Sequence, residues 1–174
     1  MIVLQTNSTS DWAMFLGHFH PLVVHLPIGM LIMAAILEWL SRKKNLQTLQ
    51  PAIAPILLTG SLTAVLSCIF GYLLSSSGEY NEDTLFWHQW MGIAVAAVSL
   101  LAWYLKGYGR SSVMNKGYLS TLFTMLILLT ITGHLGGNMT HGEDYLYANT
   151  PEPFRSLLGL PARKAGSTTQ KKIE

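Results

Sequence analysis

The chain has few charged residues. Only 11% of its 174 residues are Asp, Glu, Lys or Arg, whereas 50% are apolar. So few charges cannot cover a soluble domain of this size, and they suit one compact domain surrounded by lipid. The formal net charge of +2 is small, and the basic residues are not interleaved with aromatic residues along one stretch. We therefore expect a membrane protein with no nucleic-acid partner.

Cysteine is nearly absent as well. Cys68 is the only one in the sequence, which excludes an intramolecular disulfide. Without a C-x-x-C-H run, no haem can be attached covalently as it is in c-type cytochromes. Any haem would have to be held by non-covalent ligation. No internal repeat is evident in the sequence.

Four apolar runs are long enough to cross a membrane. A helix needs about 20 residues to span a hydrocarbon layer of ~30 Å. Short links that contain charges or helix breakers separate the runs. The sequence therefore predicts an all-α, integral membrane four-helix bundle of up-down-up-down order. Its spans are expected at about 21–40, 53–75, 87–106 and 118–137.

Composition divides the chain into three parts. Residues 1–20 are expected to form an outer interfacial segment, and residues 21–148 the four-helix transmembrane domain. After Ala148 the sequence is rich in proline, polar and basic residues, which is typical of disordered tails. Residues 149–174 are therefore predicted to be a flexible basic tail.

The distribution of basic residues predicts the orientation. Lys and Arg are retained on the cytoplasmic side of a membrane. The second link has none, whereas the first and third links together hold Arg42, Lys43, Lys44, Lys106, Arg110 and Lys116. We therefore expect a bacterial inner membrane protein with both termini in the periplasm. Glu38 stands near the inner boundary, and the inner halves of the spans show no other carriers of protons or ions, which disfavours a pump or a channel.

All six histidines fall at the predicted outer face. A histidine near an interface is often only an amphipathic side chain with one hydrated end. Histidine is also the commonest nitrogen ligand for metals, and an ionisable group within a span usually has a partner in the bundle interior. Because the whole set lies at one face, we predict a ligand site there. The set comprises His18, His20, His25, His88, His134 and His141.

His25 and His88 are the predicted axial ligands of a haem. Gly29 lies one helical turn inward from His25, and Gly92 lies one turn inward from His88. These glycines would let a flat macrocycle lie against the backbone, although small residues serve helix packing equally well. The first and third helices of such a bundle lie across the core, and a bis-histidine haem needs ligands from opposed helices.

The sequence is compatible with three functions. The first is a b-type haem electron carrier at the periplasmic face, bound to a periplasmic cytochrome c or a membrane redox complex. The second is a copper or zinc site, and the argument for it is that the six histidines exceed the two that a haem needs. The third is a membrane anchor or assembly subunit of a redox complex. An electron carrier or subunit is favoured over a stand-alone enzyme, with supporting or alternative ligands at His20, His134 and His141.

The glycine-rich run from residue 133 to residue 145 is expected to end the fourth helix. Its glycines permit unusual backbone angles. The run either folds back as a lid over the outer site, or Gly136 and Gly137 are a simple helix stop. In the second case Glu143 and Asp144 would be solvated.

Two sequence runs carry a family resemblance. FHPLVVHLPIG at 19–29 and GGNMTHG at 136–142 resemble a bacterial family of predicted four-helix membrane domains of unknown function. The likeness covers roughly residues 15–147, and its H-P-x-x-x-H-x-P opening is the specific part. Family members occur alone or ahead of planctomycete-type cytochrome c domains, which implies association with periplasmic redox proteins. The positions that match the family are His20, Pro21, His25, Pro27, His88, Gly136, Gly137 and His141.

Overall fold

The structure is a computed structural model that describes residues 11–76, 80–108, 112–142 and 150–161, and the regular elements in these ranges are all helical. Two short helices precede the first long one. The helices are α1 (Asp11–Gly17), α2 (His20–Val23), α3 (His25–Ser41), a 3-10 helix (Lys44–Leu49), α4 (Gln50–Ser75), α5 (Glu82–Tyr108), α6 (Ser112–His141) and α7 (Glu152–Leu157).

Four helical stretches are long and apolar enough to cross a membrane. Large apolar side chains on all four remain exposed, as expected for surfaces that contact lipid. The chain is therefore a multi-pass membrane protein, and the predicted all-α bundle is confirmed. The four stretches are Asp11–Ser41, Lys44–Ser75, Glu82–Tyr108 and Asn115–His141.

Helices that follow one another in sequence pack side by side. Helix α4 packs against α3 and α5, and α5 packs against α6, whereas α3 and α6 meet only slightly. All four long helices contribute to one apolar core. We call the end that contains α2 and the start of α5 the histidine end, and the end near Ser41 and Gln50 the basic end. The core consists of Leu31, Ala34, Ile53, Leu57, Val95, Ala102, Tyr118, Leu122 and Met125.

A buried ion pair lies at the basic end. Glu38 is only 3% exposed, and its carboxylate accepts hydrogen bonds from Arg42 Nη2 at 2.8 Å and Lys106 Nζ at 2.7 Å. Tyr118 Oη donates to the same carboxylate at 3.1 Å, and Lys106 also donates to Gln50 Oε1 at 2.6 Å. The sequence placed Glu38 near the inner boundary and made no prediction about its partners. The structure supplies them, as expected because a buried carboxylate in a span requires compensating donors.

Helix α6 is longer than the sequence predicted. The glycines expected to end it, Gly133, Gly136 and Gly137, lie inside the helix, which continues to His141. In lipid a helix has no water to satisfy its backbone groups, so unbroken intrahelical bonds outweigh the flexibility of glycine. Gly142, with φ +92°, follows the last helical residue and supplies the left-handed C-terminal cap. The lid predicted around Glu143 and Asp144 lies outside the described residues.

The two peripheral segments contain more helix than composition indicated. In the predicted interfacial segment, α1 packs directly on α4, and a Cβ added at Gly17 would lie 2.7 Å from the backbone nitrogen of Leu74. In the predicted flexible tail, α7 is followed by a turn in which Arg155 Nη2 donates to the Pro161 carbonyl at 2.7 Å. Local hydrogen bonds thus order part of a sequence whose composition is typical of disorder.

Candidate functional site

Two histidines meet at the histidine end of the bundle. His20 is the first residue of α2, and His88 lies in the second turn of α5. Their ring centroids are 6.3 Å apart and their planes are nearly perpendicular, at 89°. Both side chains are half-buried. The pair joins the first and third membrane-spanning stretches across the bundle.

Backbone carbonyls of the two other long helices orient these rings. His20 Nδ1 lies 2.9 Å from the Ser67 carbonyl of α4, and His88 Nδ1 lies 3.1 Å from the Thr132 carbonyl of α6. A carbonyl oxygen can only accept, so each Nδ1 must carry a proton, and in the neutral imidazole Nε2 then presents a lone pair. This is the arrangement in which imidazoles of metal sites are commonly held.

Each ring also rests against a glycine of the helix that accepts its hydrogen bond. A Cβ added at Gly71 would lie 2.9 Å from His20 Cε1, and one added at Gly136 would lie 3.1 Å from His88 Cε1. No larger residue fits at Gly71 unless His20 moves. The two glycines thus let the imidazoles approach the backbones of α4 and α6.

The remaining histidines are exposed. His18 Nδ1 donates to the Met14 carbonyl at 2.7 Å, and His25 Nδ1 donates to the Pro21 carbonyl at 2.6 Å. Both bonds stay within the first membrane-spanning stretch. The ring in contact with His88 therefore belongs to His20, whereas the sequence paired His88 with His25.

Helix α6 contributes its two histidines to an exposed surface. His134 Nε2 lies 3.4 Å from Asn138 Nδ2, and His141 is the last residue of the helix. Over residues 11–76, 80–108, 112–142 and 150–161, no group of three or more His, Cys, Asp or Glu side chains is placed to hold a metal ion. The described part of the chain therefore presents a pair of imidazoles rather than the larger cluster expected for copper or zinc.

The two glycines predicted to make room for a ring differ in their surroundings. Gly29 is exposed, and a Cβ there would meet nothing within 4 Å. A Cβ at Gly92 would lie 3.8 Å from Cys68 Sγ and 4.0 Å from Thr132 Cγ2. Gly92 thus faces the interior between α4 and α6, directly inward from His88, whereas Gly29 does not line this space.

Sequence reasoning missed the residues that orient the imidazoles. In the sequence, Ser67 and Gly71 belong to a small-residue face of the second predicted helix that suits plain helix packing, Gly136 was a possible helix stop, and Thr132 was not singled out. Their roles depend on contacts between helices that are distant in sequence. The available signal was that a small-residue face and a glycine-rich helix end both occur at the membrane face that holds the histidines.

Comparison with known proteins agrees with the fold. No curated protein matches the chain, and no solved structure matches it. Residues 18–144, which include all four long helices, match the family described as predicted membrane protein (DUF2231). The matched region covers both histidines of the pair and both carbonyls that orient them. The chain therefore belongs to this family of predicted membrane proteins.

Proposed function

We propose that this protein is a b-type haem electron carrier of the bacterial inner membrane, with His20 and His88 as the two haem ligands. The observation that carries the proposal is the pair itself. Two imidazoles from separate membrane-spanning stretches lie 6.3 Å apart, each with Nδ1 bound to a backbone carbonyl. Each ring therefore has one nitrogen, Nε2, left for a metal.

The donor set and its spacing fit a bis-imidazole haem. A metal bound to one nitrogen of each ring at about 2 Å would place the ring centroids roughly 6 Å apart, close to the observed 6.3 Å. A bare copper or zinc ion usually takes additional protein ligands, whereas haem needs only two axial ones. When bound, a haem with two imidazole ligands supplies one-electron transfer between its ferric and ferrous states.

The location of the pair defines what such a carrier does. The basic links support a periplasmic location of the histidine end, because Lys and Arg are retained on the cytoplasmic side. At the basic end, the buried charges of Glu38 and Lys106 neutralise one another in an ion pair. The protein would then exchange electrons with a periplasmic cytochrome c or a membrane redox complex at its outer face.

Absorption spectroscopy of the detergent-purified protein tests the proposal. Wild type should contain about one haem per chain and should show α and β bands after reduction with dithionite. His20→Ala and His88→Ala should each yield a high-spin or haem-free protein. His18→Ala is the matched control, because His18 is exposed and bonded to the Met14 carbonyl of the adjacent α1, and it should leave the spectrum unchanged.

His25→Ala separates the two candidate axial pairs. Low-spin haem should persist in this variant because His25 is exposed and bonded to the Pro21 carbonyl. Loss of haem in His25→Ala with retention in His20→Ala would overturn the assignment of ligands. Stoichiometric copper or zinc without haem bands would overturn haem itself, and absence of any ligand would favour an anchor or assembly subunit.

A further inference from the structure

The first two and the last two long helices form hairpins that make equivalent contacts. In each hairpin, an imidazole at the start of the first spanning stretch bonds to a backbone carbonyl near the end of the second helix. The pairs are His20 with Ser67 and His88 with Thr132. In both cases a glycine lies one turn beyond the accepting carbonyl, and the ring rests on that glycine.

The equivalence extends to the basic end. Lys106 follows Glu38 by 68 residues, and His88 follows His20 by the same interval. Glu38 and Lys106 bind one another directly at the basic end, and His20 and His88 meet at the histidine end. Residues separated by 68 positions therefore meet at both ends of the bundle. Three buried positions of α3 also have a buried counterpart in α5 at this interval, and the pairs are Pro27 with Val95, Leu31 with Ser99, and Ala34 with Ala102.

Two restraints fix each imidazole in this arrangement. The hydrogen bond from Nδ1 sets the rotation of the ring about its side-chain bonds, and the glycine sets how deeply the ring enters the groove of the neighbouring helix. A methyl group at Gly71 would overlap His20, and one at Gly136 would press on His88. His20 would then have to shift, and His88 would have to give by a few tenths of an ångström, so the hydrogen bond of each ring would be strained.

We propose that Gly71 and Gly136 are positioning residues that lock both imidazoles, so that the metal of the proposed function keeps two protein ligands and admits no external one. The inference rests on the proposed haem and deepens it. A ring held by a carbonyl and a glycine contact cannot swing away to open a coordination position. The centre is therefore suited to electron transfer and not to binding small gases.

Carbon monoxide is the direct probe of an open coordination position. The dithionite-reduced wild type should show no spectral change when carbon monoxide is added. Gly71→Ala and Gly136→Ala should each weaken one axial bond and gain a carbon monoxide complex with a shifted Soret band. The change should be larger for Gly71→Ala, because its added Cβ would come closer to the ring, at 2.9 Å against 3.1 Å.

The chain supplies matched controls for these substitutions. Gly137 is adjacent to Gly136 in the same helix, and Gly29 lies in α3; a Cβ at either would meet nothing within 4 Å. Gly137→Ala and Gly29→Ala should therefore remain unreactive toward carbon monoxide. If the variants at Gly71 and Gly136 respond to carbon monoxide in the same way as the control variants at Gly137 and Gly29, the positioning role is wrong. If wild type itself binds carbon monoxide, the centre is not closed.

A measurement on haem-free protein separates failure of this inference from failure of the proposed function. Long-range proton–nitrogen NMR should show the Nδ1-protonated tautomer for both His20 and His88 in wild type. Gly71→Ala should perturb His20 alone, and Gly136→Ala should perturb His88 alone. If these shifts occur in a protein that never binds haem, the proposed function fails while the positioning role stands. Unchanged tautomers in both variants would overturn the positioning role.

Discussion

At the scale of single residues, the hydrogen bonds of the histidines separate their possible roles. His18, His20, His25 and His88 each lie with Nδ1 near a backbone carbonyl. The carbonyl belongs to the same spanning stretch for His18 and His25, but to a neighbouring helix for His20 and His88. Only the second arrangement holds a ring between helices, and the two rings held in this way are half-buried whereas His18 and His25 are exposed.

Gly92→Leu is expected to abolish haem binding without displacing either imidazole. The added side chain would enter the interior beside Cys68 and Thr132, directly inward from His88. Haem content should fall at least tenfold, while NMR should still show both Nδ1 bonds. Ala97→Leu is the control on the same helix, because Ala97 is exposed. Retention of haem by Gly92→Leu would show that the macrocycle does not occupy this space.

The residue-scale predictions from sequence included the two histidines that the structure brings together but did not pair them, and ligand binding by these histidines stays a prediction. Histidine composition and hydropathy located the candidate site at one face, and His88 and His20 were both among its predicted residues. The partner of His88 could not be selected because His20 and His25, five residues apart, point to different sides of the first stretch, which stays helical through Val24. The rotation of that stretch about its own axis decides which imidazole enters the bundle, and it is set by packing against α4 rather than by a local sequence pattern.

At the scale of helices, the buried ion pair at the basic end makes a large contribution to stability. Removing one member of such a pair leaves an uncompensated buried charge, at a cost of about 3 kcal/mol or more. Glu38→Ala should therefore destabilise the protein by that amount in chemical denaturation in detergent, since Lys106 and Arg42 both lose their acceptor. Glu82→Ala, at an exposed position of the first turn of α5, should change stability by less than about 1 kcal/mol. Equal effects in the two variants would contradict the structural role of Glu38.

Exchanging the charges of Glu38 and Lys106 tests whether α3 and α5 hold these two residues at the same depth in the bundle. Glu38→Lys alone places three cations together at the basic end, and Lys106→Glu alone places two carboxylates there. The double variant restores the pair because the side chains meet at 2.7 Å. It should therefore recover at least half of the thermal stability lost in either single variant. A double variant less stable than both single ones would show that surrounding groups, and not the pair, fix the arrangement.

The ends of the helices illustrate where sequence patterns mislead. Hydropathy placed all four long helices, yet the fourth was expected to end near Gly136 and continues to His141. Glycine favours a helix stop in water, where freed backbone groups can be hydrated, and that competition disappears in lipid. The stop occurs at Gly142, whose φ of +92° only glycine adopts readily.

At the scale of the whole molecule, two matched hairpins generate one polar feature at each end and an apolar core between them. The sequence shows no evident repeat because matched positions carry different residues, such as Leu31 and Ser99, or Glu38 and Lys106. The two hairpins are therefore equivalent at three buried positions and in the hydrogen bonds that their histidines form, although their residue identities differ. The relation between the two hairpins therefore lies in the contacts between helices and not in repeated residue identities.

The two ends should face opposite sides of the membrane, with the histidine end in the periplasm. In a Cys68→Ser background, which removes the only native cysteine, Glu82→Cys should react with a membrane-impermeant maleimide in intact cells. Lys44→Cys should stay unlabelled until the cells are permeabilised, because positive residues at the basic end are retained in the cytoplasm. Both positions are exposed, so accessibility depends on sidedness alone. The reverse labelling pattern would place the histidine pair in the cytoplasm and exclude electron exchange with periplasmic partners.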